Sequence, residues 1–218
     1  MDFKSVKFDE TNPATRVPCI LLLDTSRSME GPRIAELNRA LHQFAADLSG
    51  DTQLQISLDL SIVTFGPVQQ RGDFVAGSAF TPPTLIADGP NTPMAEAVLF
   101  ALERLQERKD FYKTKRVTYH QPWLVMITDG EPTDRPAIPN AAQRIRELES
   151  AQKLVFIAAG IDDADINTLK QLSVRPVVPA KASNLVSLFE WLSQSLSVKS
   201  SSRPGEQVPL PPLNMGTA

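Results

Sequence analysis

Residues 17–23, VPCILLL, form an unbroken apolar run that stops abruptly on Asp24. A run this short, with no alternation of apolar and polar positions, predicts a strand covered on both faces, as in a parallel sheet. Pro18 is tolerable there because it stands near the strand's start. Parallel strands need long crossover connections, usually helical, so the rest of the chain should alternate strands with helices.

The pattern downstream meets that requirement. Gly31-Pro32 opens a helix in which Ile34, Leu37, Leu41, Phe44, Ala45 and Leu48 share one face. Ile56, Leu58, Leu60 and Ile62 alternate with polar residues and run into Val63-Thr64-Phe65, a strand pattern. Residues 71–76 suggest a neighbouring strand, and 80–90 a proline-rich loop. Thr92-Pro93 begins a second helix with its apolar stripe on Met94, Ala97, Val98, Ala101, Leu102 and Leu105. Residues 104–120 are charged and irregular and read as an exposed excursion. Residues 123–128 predict another buried strand, ending at Asp129-Gly130. A helix over 140–152, a strand over 154–159, a short helix capped by Asp165, a strand at Val177-Val178 and a closing helix marked by Leu185, Leu188, Phe189, Leu192 and Leu196 complete the order.

This order predicts an α/β fold: a doubly wound, mostly parallel sheet with helices on both faces and one antiparallel edge strand. One domain over 1–197 is expected, followed by a flexible Pro/Ser-rich tail over 198–218. The formal net charge of −3 gives no reason to expect a nucleic-acid or anionic-membrane partner. No apolar run is long enough to span a bilayer, and Met1-Asp2-Phe3-Lys4 starts no apolar signal core. A cytoplasmic protein is the expectation. Cys19 sits within the first apolar run and reads as a buried structural thiol. His42 and His120 lie far from it and from each other, so no zinc-type cluster is foreseen.

In doubly wound sheets, ligands sit beyond the carboxyl ends of the strands. Asp24 and Asp129 are both expected there. Asp24, Ser26 and Ser28 occupy alternate positions of a loop and can present three oxygens to one side. A carboxylate and hydroxyls are hard donors suited to Mg²⁺, Mn²⁺ or Ca²⁺. One loop supplies too few donors, so Thr92 and Asp129 are the candidates to complete the set. Each part also has a bland reading: strand-end Asp or Ser as cap or turn former, Thr92 as helix N-cap, Asp129-Gly130 as a turn pair.

Taken together, Asp24-Thr25-Ser26-Arg27-Ser28, Thr92 and Thr128-Asp129-Gly130 resemble the metal-ion-dependent adhesion site of the von Willebrand factor A family, over roughly residues 15–197. The resemblance implies a Rossmann-like fold, hydroxyl ligands from Ser26, Ser28 and Thr92, and direct or water-mediated roles for Asp24 and Asp129. It also implies an open coordination position for an acidic residue of a partner protein. Val17-Pro18, residues 119–123 (YHQPW) and residues 126–134 (MITDGEPTD) further resemble the bacterial TerY-type proteins of tellurium-resistance and stress gene clusters, which implies kinase and phosphatase partners. Asn91-Thr92-Pro93 departs from the Gly-Gly-Thr expected of that pattern, leaving Thr84 as a rival to Thr92.

The surrounding residues keep two readings each. Glu131 and Asp134 either tune the site's charge or lie in solvent. Arg27 either meets a partner's acid or points into water. Asp162, Asp163 and Asp165 favour capping over a calcium loop. Glu206, in the tail, is a candidate to reach this site in a neighbouring molecule.

The leading expectation is a non-enzymatic, metal-dependent interaction module. The alternative is a Mg²⁺-dependent phosphohydrolase using Asp24 and Asp129. Against it, the first loop lacks the second aspartate of an Asp-x-Asp phosphatase, and there is no phosphate-cradling Gly-rich loop with lysine. A third reading is a scaffold whose site has decayed into a capping network.

Overall fold

The computed structural model describes residues 8–206 and 208–212. The expectations for the first four residues and the last six lie outside that range.

Four parallel strands carry the middle of the sheet: β1 (Val17–Asp24), β2 (Leu58–Phe65), β5 (Trp123–Thr128) and β6 (Val155–Ile161). Every residue of these strands is buried, as expected where helices cover both faces. The short strand β7 (Val178–Ala180) continues the parallel order beyond β6. Beyond β2 lie β3 (Gln69–Gln70) and β4 (Val75–Ala76), both antiparallel to it. The order is β3-β2-β1-β5-β6-β7, with β4 also on β2. Of the strand expected over 71–76 only Val75–Ala76 forms, and Gln69–Gln70, just before that range, pairs separately.

The helices are α1 (Pro32–Gly50), α2 (Thr52–Ser57), α3 (Met94–Lys115), α4 (Ile138–Ser150), α5 (Ile166–Leu172) and α6 (Leu185–Ser200). The period-two alternation of β1 divides them. Cys19, Leu21 and Leu23 pack with α1, α2 and α6, whereas Ile20 and Leu22 pack with α3, α4 and α5. Two cores result, one on each face of the sheet, and Cys19 is buried in the first as expected.

Three segments differ from the sequence reading. Ile56 belongs to α2, capped by the Asp51 carboxylate accepting from the Gln53 and Leu54 amides, and is exposed. The segment over 104–120 is not an irregular excursion, because α3 continues to Lys115. Arg108, Lys109 and Tyr112 turn inward, and Arg108 finds a buried partner in Asp59 on β2. Helix α6 passes the expected boundary at 197 and ends at Ser200. The described tail residues lie back along it: the Trp191 indole donates to the Pro211 carbonyl at 2.8 Å, and Leu210 packs against the first core.

Candidate metal centre

Asp24 and Asp129 leave the carboxyl ends of β1 and β5, which are hydrogen-bonded neighbours. Adjacent parallel strands therefore deliver both carboxylates to one edge. The Asp24 side chain is wholly enclosed. Its Oδ1 accepts from the Ser26 amide at 2.8 Å, and its Oδ2 accepts from the Thr128 hydroxyl. That hydroxyl in turn accepts from the Gly130 amide at 3.1 Å. Burial pushes the Asp24 carboxyl up from 3.8 to about 6, against the hydrogen bonds from Ser26 and Thr128; the nearby Asp129 adds to the rise.

The remaining oxygens converge on the same spot. Ser26 Oγ lies 2.9 Å from Ser28 Oγ, and Ser28 Oγ donates to Asp129 Oδ1 at 2.8 Å. Thr92 is buried, and its placement answers the doubt raised by the missing Gly-Gly. The loop before α3 is tied to the loop after β5: the Thr133 amide donates to the Thr92 carbonyl at 3.0 Å, and the Thr92 amide donates to the Thr133 hydroxyl at 3.2 Å. Helix α3 starts at Met94 with Pro93 in the N-cap position and no side-chain cap, so the Thr92 hydroxyl is not an N-cap. A Cβ on residue 130 would stand 3.3 Å from Thr92 Oγ1 and 3.4 Å from Asp24 Oδ2. Those two oxygens thus flank the bare face of Gly130. Thr84 is exposed.

Two glycines let the backbones approach: Gly89, in the turn read before Thr92, and Gly66, which the sequence reading passed over. Gly89 bridges to Ser26: the Arg27 amide donates to the Gly89 carbonyl at 2.8 Å, and the Gly89 amide to the Thr25 carbonyl at 3.2 Å. A Cβ on Gly89 would fall 1.4 Å from the Gly66 carbonyl oxygen, and one on Gly66 would fall 2.8 Å from the Ser26 nitrogen. No side chain fits at either place. The close turn comes from Gly89, three residues before Thr92, instead of from a Gly-Gly pair.

Arg33 was also missed. From the start of α1 its guanidinium donates to Asp129 Oδ2 at 2.7 Å, the Ser28 carbonyl at 3.2 Å, Asp162 at 3.0 Å and Asp163 at 3.2 Å. No spacing rule connects it to carboxylates about a hundred positions away. Its contacts also assign Asp162 and Asp163 to an ion-pair cluster, while Asp165 caps α5 by accepting from the Thr168 amide. Asp134 Oδ2 accepts from the Glu96 amide in the first turn of α3 at 2.9 Å, and Glu131 pairs with Arg135 at 2.6 Å. Arg27 is exposed.

The arrangement can be tested for its fit to a cation. Three hydroxyls and two carboxylates face one another, supplied by the β1–α1 loop, the segment before α3 and the end of β5. These are hard oxygen donors. Among the described residues no three His, Cys, Asp or Glu side chains gather into a metal-binding group, so a site of imidazole or thiolate ligands is not built here. The donors fit a divalent cation that accepts oxygen ligands.

No family model matches the chain. Among curated proteins, inter-alpha-trypsin inhibitor heavy chain H4 of Sus scrofa is 28% identical over 147 residues, covering 63% of this chain and 15% of that protein. Among solved structures, proximal thread matrix protein 1 from the mussel byssus, described with a zinc-occupied MIDAS motif, superposes with a TM-score of 0.59 at 16% identity, covering 84% of this chain and 48% of that one. The vWF domain of the type V pilus tip protein Mfa5 from Porphyromonas gingivalis gives a TM-score of 0.58 at 11% identity, covering 89% and 99%. The pilus adhesin SpaC from Lactobacillus rhamnosus GG gives 0.62 at 11%, covering 84% and 30%. The chain spans about half of the mussel protein and a small part of the porcine one. The fold is of the von Willebrand factor A type, with a mostly parallel seven-stranded sheet.

Proposed function

We propose that the chain is a metal-dependent protein-interaction module, with Ser26, Ser28 and Thr92 as hydroxyl ligands and Asp24 and Asp129 as the acidic members of the set. One observation carries this reading: five oxygen-bearing side chains from three separate segments converge at the sheet's carboxyl edge. The motif of the mussel protein is described as zinc-occupied, which supports a divalent ion in this fold. Mg²⁺ or Mn²⁺ suits the hydroxyl-rich donors here. When bound, the cation would supply an electrophilic position for one further oxygen. With one of the two carboxylates already paired to Arg33, the site retains little negative charge, and an acidic residue of a partner protein is the fitting ligand.

The absence of catalysis is part of the proposal. Neither histidine is placed to act at this edge: His42 is exposed on α1, and His120 precedes β5 at the opposite edge. The TerY-like stretches over 119–123 and 126–134 extend the reading to a cytoplasmic component of a bacterial tellurium-resistance, stress or phage-defence system with kinase and phosphatase partners.

The test is a titration of Mg²⁺ and Mn²⁺ into the full chain and Asp24→Ala, followed by thermal unfolding and by capture of co-encoded proteins. The expected result is a melting shift and partner capture that both require metal and Asp24. Capture indifferent to metal and to Asp24 would overturn the reading. Metal-dependent cleavage of a phosphate ester, lost in Asp129→Ala, would replace it with a hydrolase.

A further inference from the structure

The opposite edge of the sheet holds a second concentration of chemistry. A recess of about 570 Å³ opens among α3, the segment before β5, the α4–β6 connection and α6. Lys109 and Lys113 reach it from α3, Lys153 from the α4–β6 connection and Lys199 from α6. His120 forms part of its wall. Strand β5 separates this recess from Asp129; six residues at about 3.3 Å each put the two edges roughly 20 Å apart.

Two features are unusual. His120 is only 1% exposed, and neither imidazole nitrogen has a hydrogen-bond partner among the described residues. Its backbone is fixed by the amide donating to the Arg16 carbonyl at 2.8 Å. Buried polar atoms without partners are uncommon and costly. The second feature is a surplus of positive charge. Lys109 and Lys199 are buried, at 8% and 7% exposure. Burial and the neighbouring Lys113 and Lys153 together depress the Lys109 ammonium. Lys113 pairs with Asp110 at 2.8 Å, but Lys109 and Lys153 have no ion-pair partner among the described residues. Glu206 is the acidic side chain lining the recess, and it offsets Lys199 only in part: its carboxylate accepts from the Arg203 amide at 2.8 Å, its carbonyl accepts from Lys199, and its charge favours the Lys199 ammonium against burial, leaving Lys109 and Lys153 unopposed by a direct ion pair among the described residues.

We infer that this recess binds a small soluble ligand carrying two or more phosphate groups. Converging ammonium groups are point-charge donors suited to compact, highly charged oxyanions, whereas planar carboxylate recognition favours the arginine fork. The volume falls within the roughly 300–1,000 Å³ of small-molecule sites. The inward position of His120 and Lys109 favours a discrete molecule over a flat membrane surface. This site is independent of the cation at the other edge.

The experiment is calorimetric titration of the full chain with pyrophosphate and with ATP, in EDTA and about 0.15 M salt, where exposed charges are largely screened. Saturable 1:1 binding with a Kd on the order of 10 µM is expected, weakened at least about tenfold in Lys109→Met/Lys153→Met and unchanged in Asp24→Ala. Methionine keeps the stem, removes a charge that burial disfavours at Lys109 and changes an exposed position at Lys153, so the variant should fold; an unaltered melting curve checks this, and Lys199→Met provides a second, single-site variant. No saturation by about 5 mM pyrophosphate, a Kd indifferent to all three lysines, or equal affinity for citrate would overturn the inference. So would binding confined to vesicles containing phosphatidylinositol bisphosphate.

Discussion

Asp24 and Asp59 are both buried aspartates on neighbouring central strands, yet the fold treats them oppositely. Asp59, near the start of β2, is closed on itself. Arg108 reaches its Oδ2 with Nε at 2.7 Å and with a terminal nitrogen at 2.6 Å, and Tyr112 donates its hydroxyl to the same oxygen. The guanidinium is enclosed in turn by the rings of Phe8, Phe74, Phe111 and Tyr112, with centroids 4.8–5.2 Å away. Asp24, at the end of β1, receives an amide and a hydroxyl but no cation. A structural charge is neutralised by the chain. A charge left with neutral donors only, beside three hydroxyls, is what the proposed cation site requires.

The largest effect should come from opening the closed member of the pair. Arg108→Ala leaves Asp59 buried and uncompensated and should cost about 3–5 kcal/mol of folding stability. Urea unfolding measures it. Adding Asp59→Ala to that background removes the orphaned charge and should recover part of the loss. If both variants lose the same amount, the aromatic packing around Arg108 would be the more important contribution, and the contrast with Asp24 would weaken.

Asp24 should show the opposite dependence in metal-free protein. Burial pushes its carboxyl up to about 6 in the folded chain from an ordinary 3.8. The folded state therefore holds the proton more tightly, and this contribution is fully present below pH ~4 and lost as pH rises through ~6. Stability in EDTA should fall across that window by up to about 3 kcal/mol. Asp24→Asn removes the titration and should flatten the curve, leaving the metal-free variant more stable than wild type at pH 7. With Mg²⁺ or Mn²⁺ in excess the sign should reverse in wild type, because the proposed ligand is the ionised carboxylate. Melting curves from pH 4 to 8, with and without metal, test both. A metal-free profile that rises with pH would mean Asp24 is already compensated.

The same contrast explains what the sequence disclosed. Asp24, Ser26, Ser28 and Asp129 were legible because each follows directly from the end of a continuous apolar run, and a parallel sheet brings such ends to one edge. Thr92 was legible as part of a spaced pattern, but its position depends on Thr133 across a loop contact and on Gly89 pressed against Gly66. Those are tertiary approaches without a local signature. Residues 104–120 were misread because charge in a window suggests solvent, whereas Arg108 is inside on account of Asp59, 49 positions earlier. The lysines of the second recess belong to three separate segments, and only the crossovers of the fold gather them. Ile56 fitted a strand by alternation alone; Asp51, acting as a cap, made it helical.

Asp129 is intermediate between the two aspartates, and this gives the smallest and most discriminating prediction. Its Oδ1 faces Ser28 within the candidate site, while its Oδ2 is held by Arg33 at 2.7 Å. Arg33 is 26% exposed at its side chain, so water screens it in part. It also anchors the Asp162–Asp163 turn to the same edge. A positive charge this close opposes an incoming divalent ion, and in a water-like dielectric the opposition is about 2 kcal/mol at 4 Å and about 1 kcal/mol at 8 Å. Arg33→Gln should therefore bind Mn²⁺ about fivefold more tightly at low salt, with the gain shrinking as ionic strength rises. Calorimetry at two salt concentrations measures this. Weaker binding in Arg33→Gln would show that Arg33 mainly positions Asp129 and Ser28, placing Asp129 with the closed, structural aspartate and leaving Asp24 as the open carboxylate of the site.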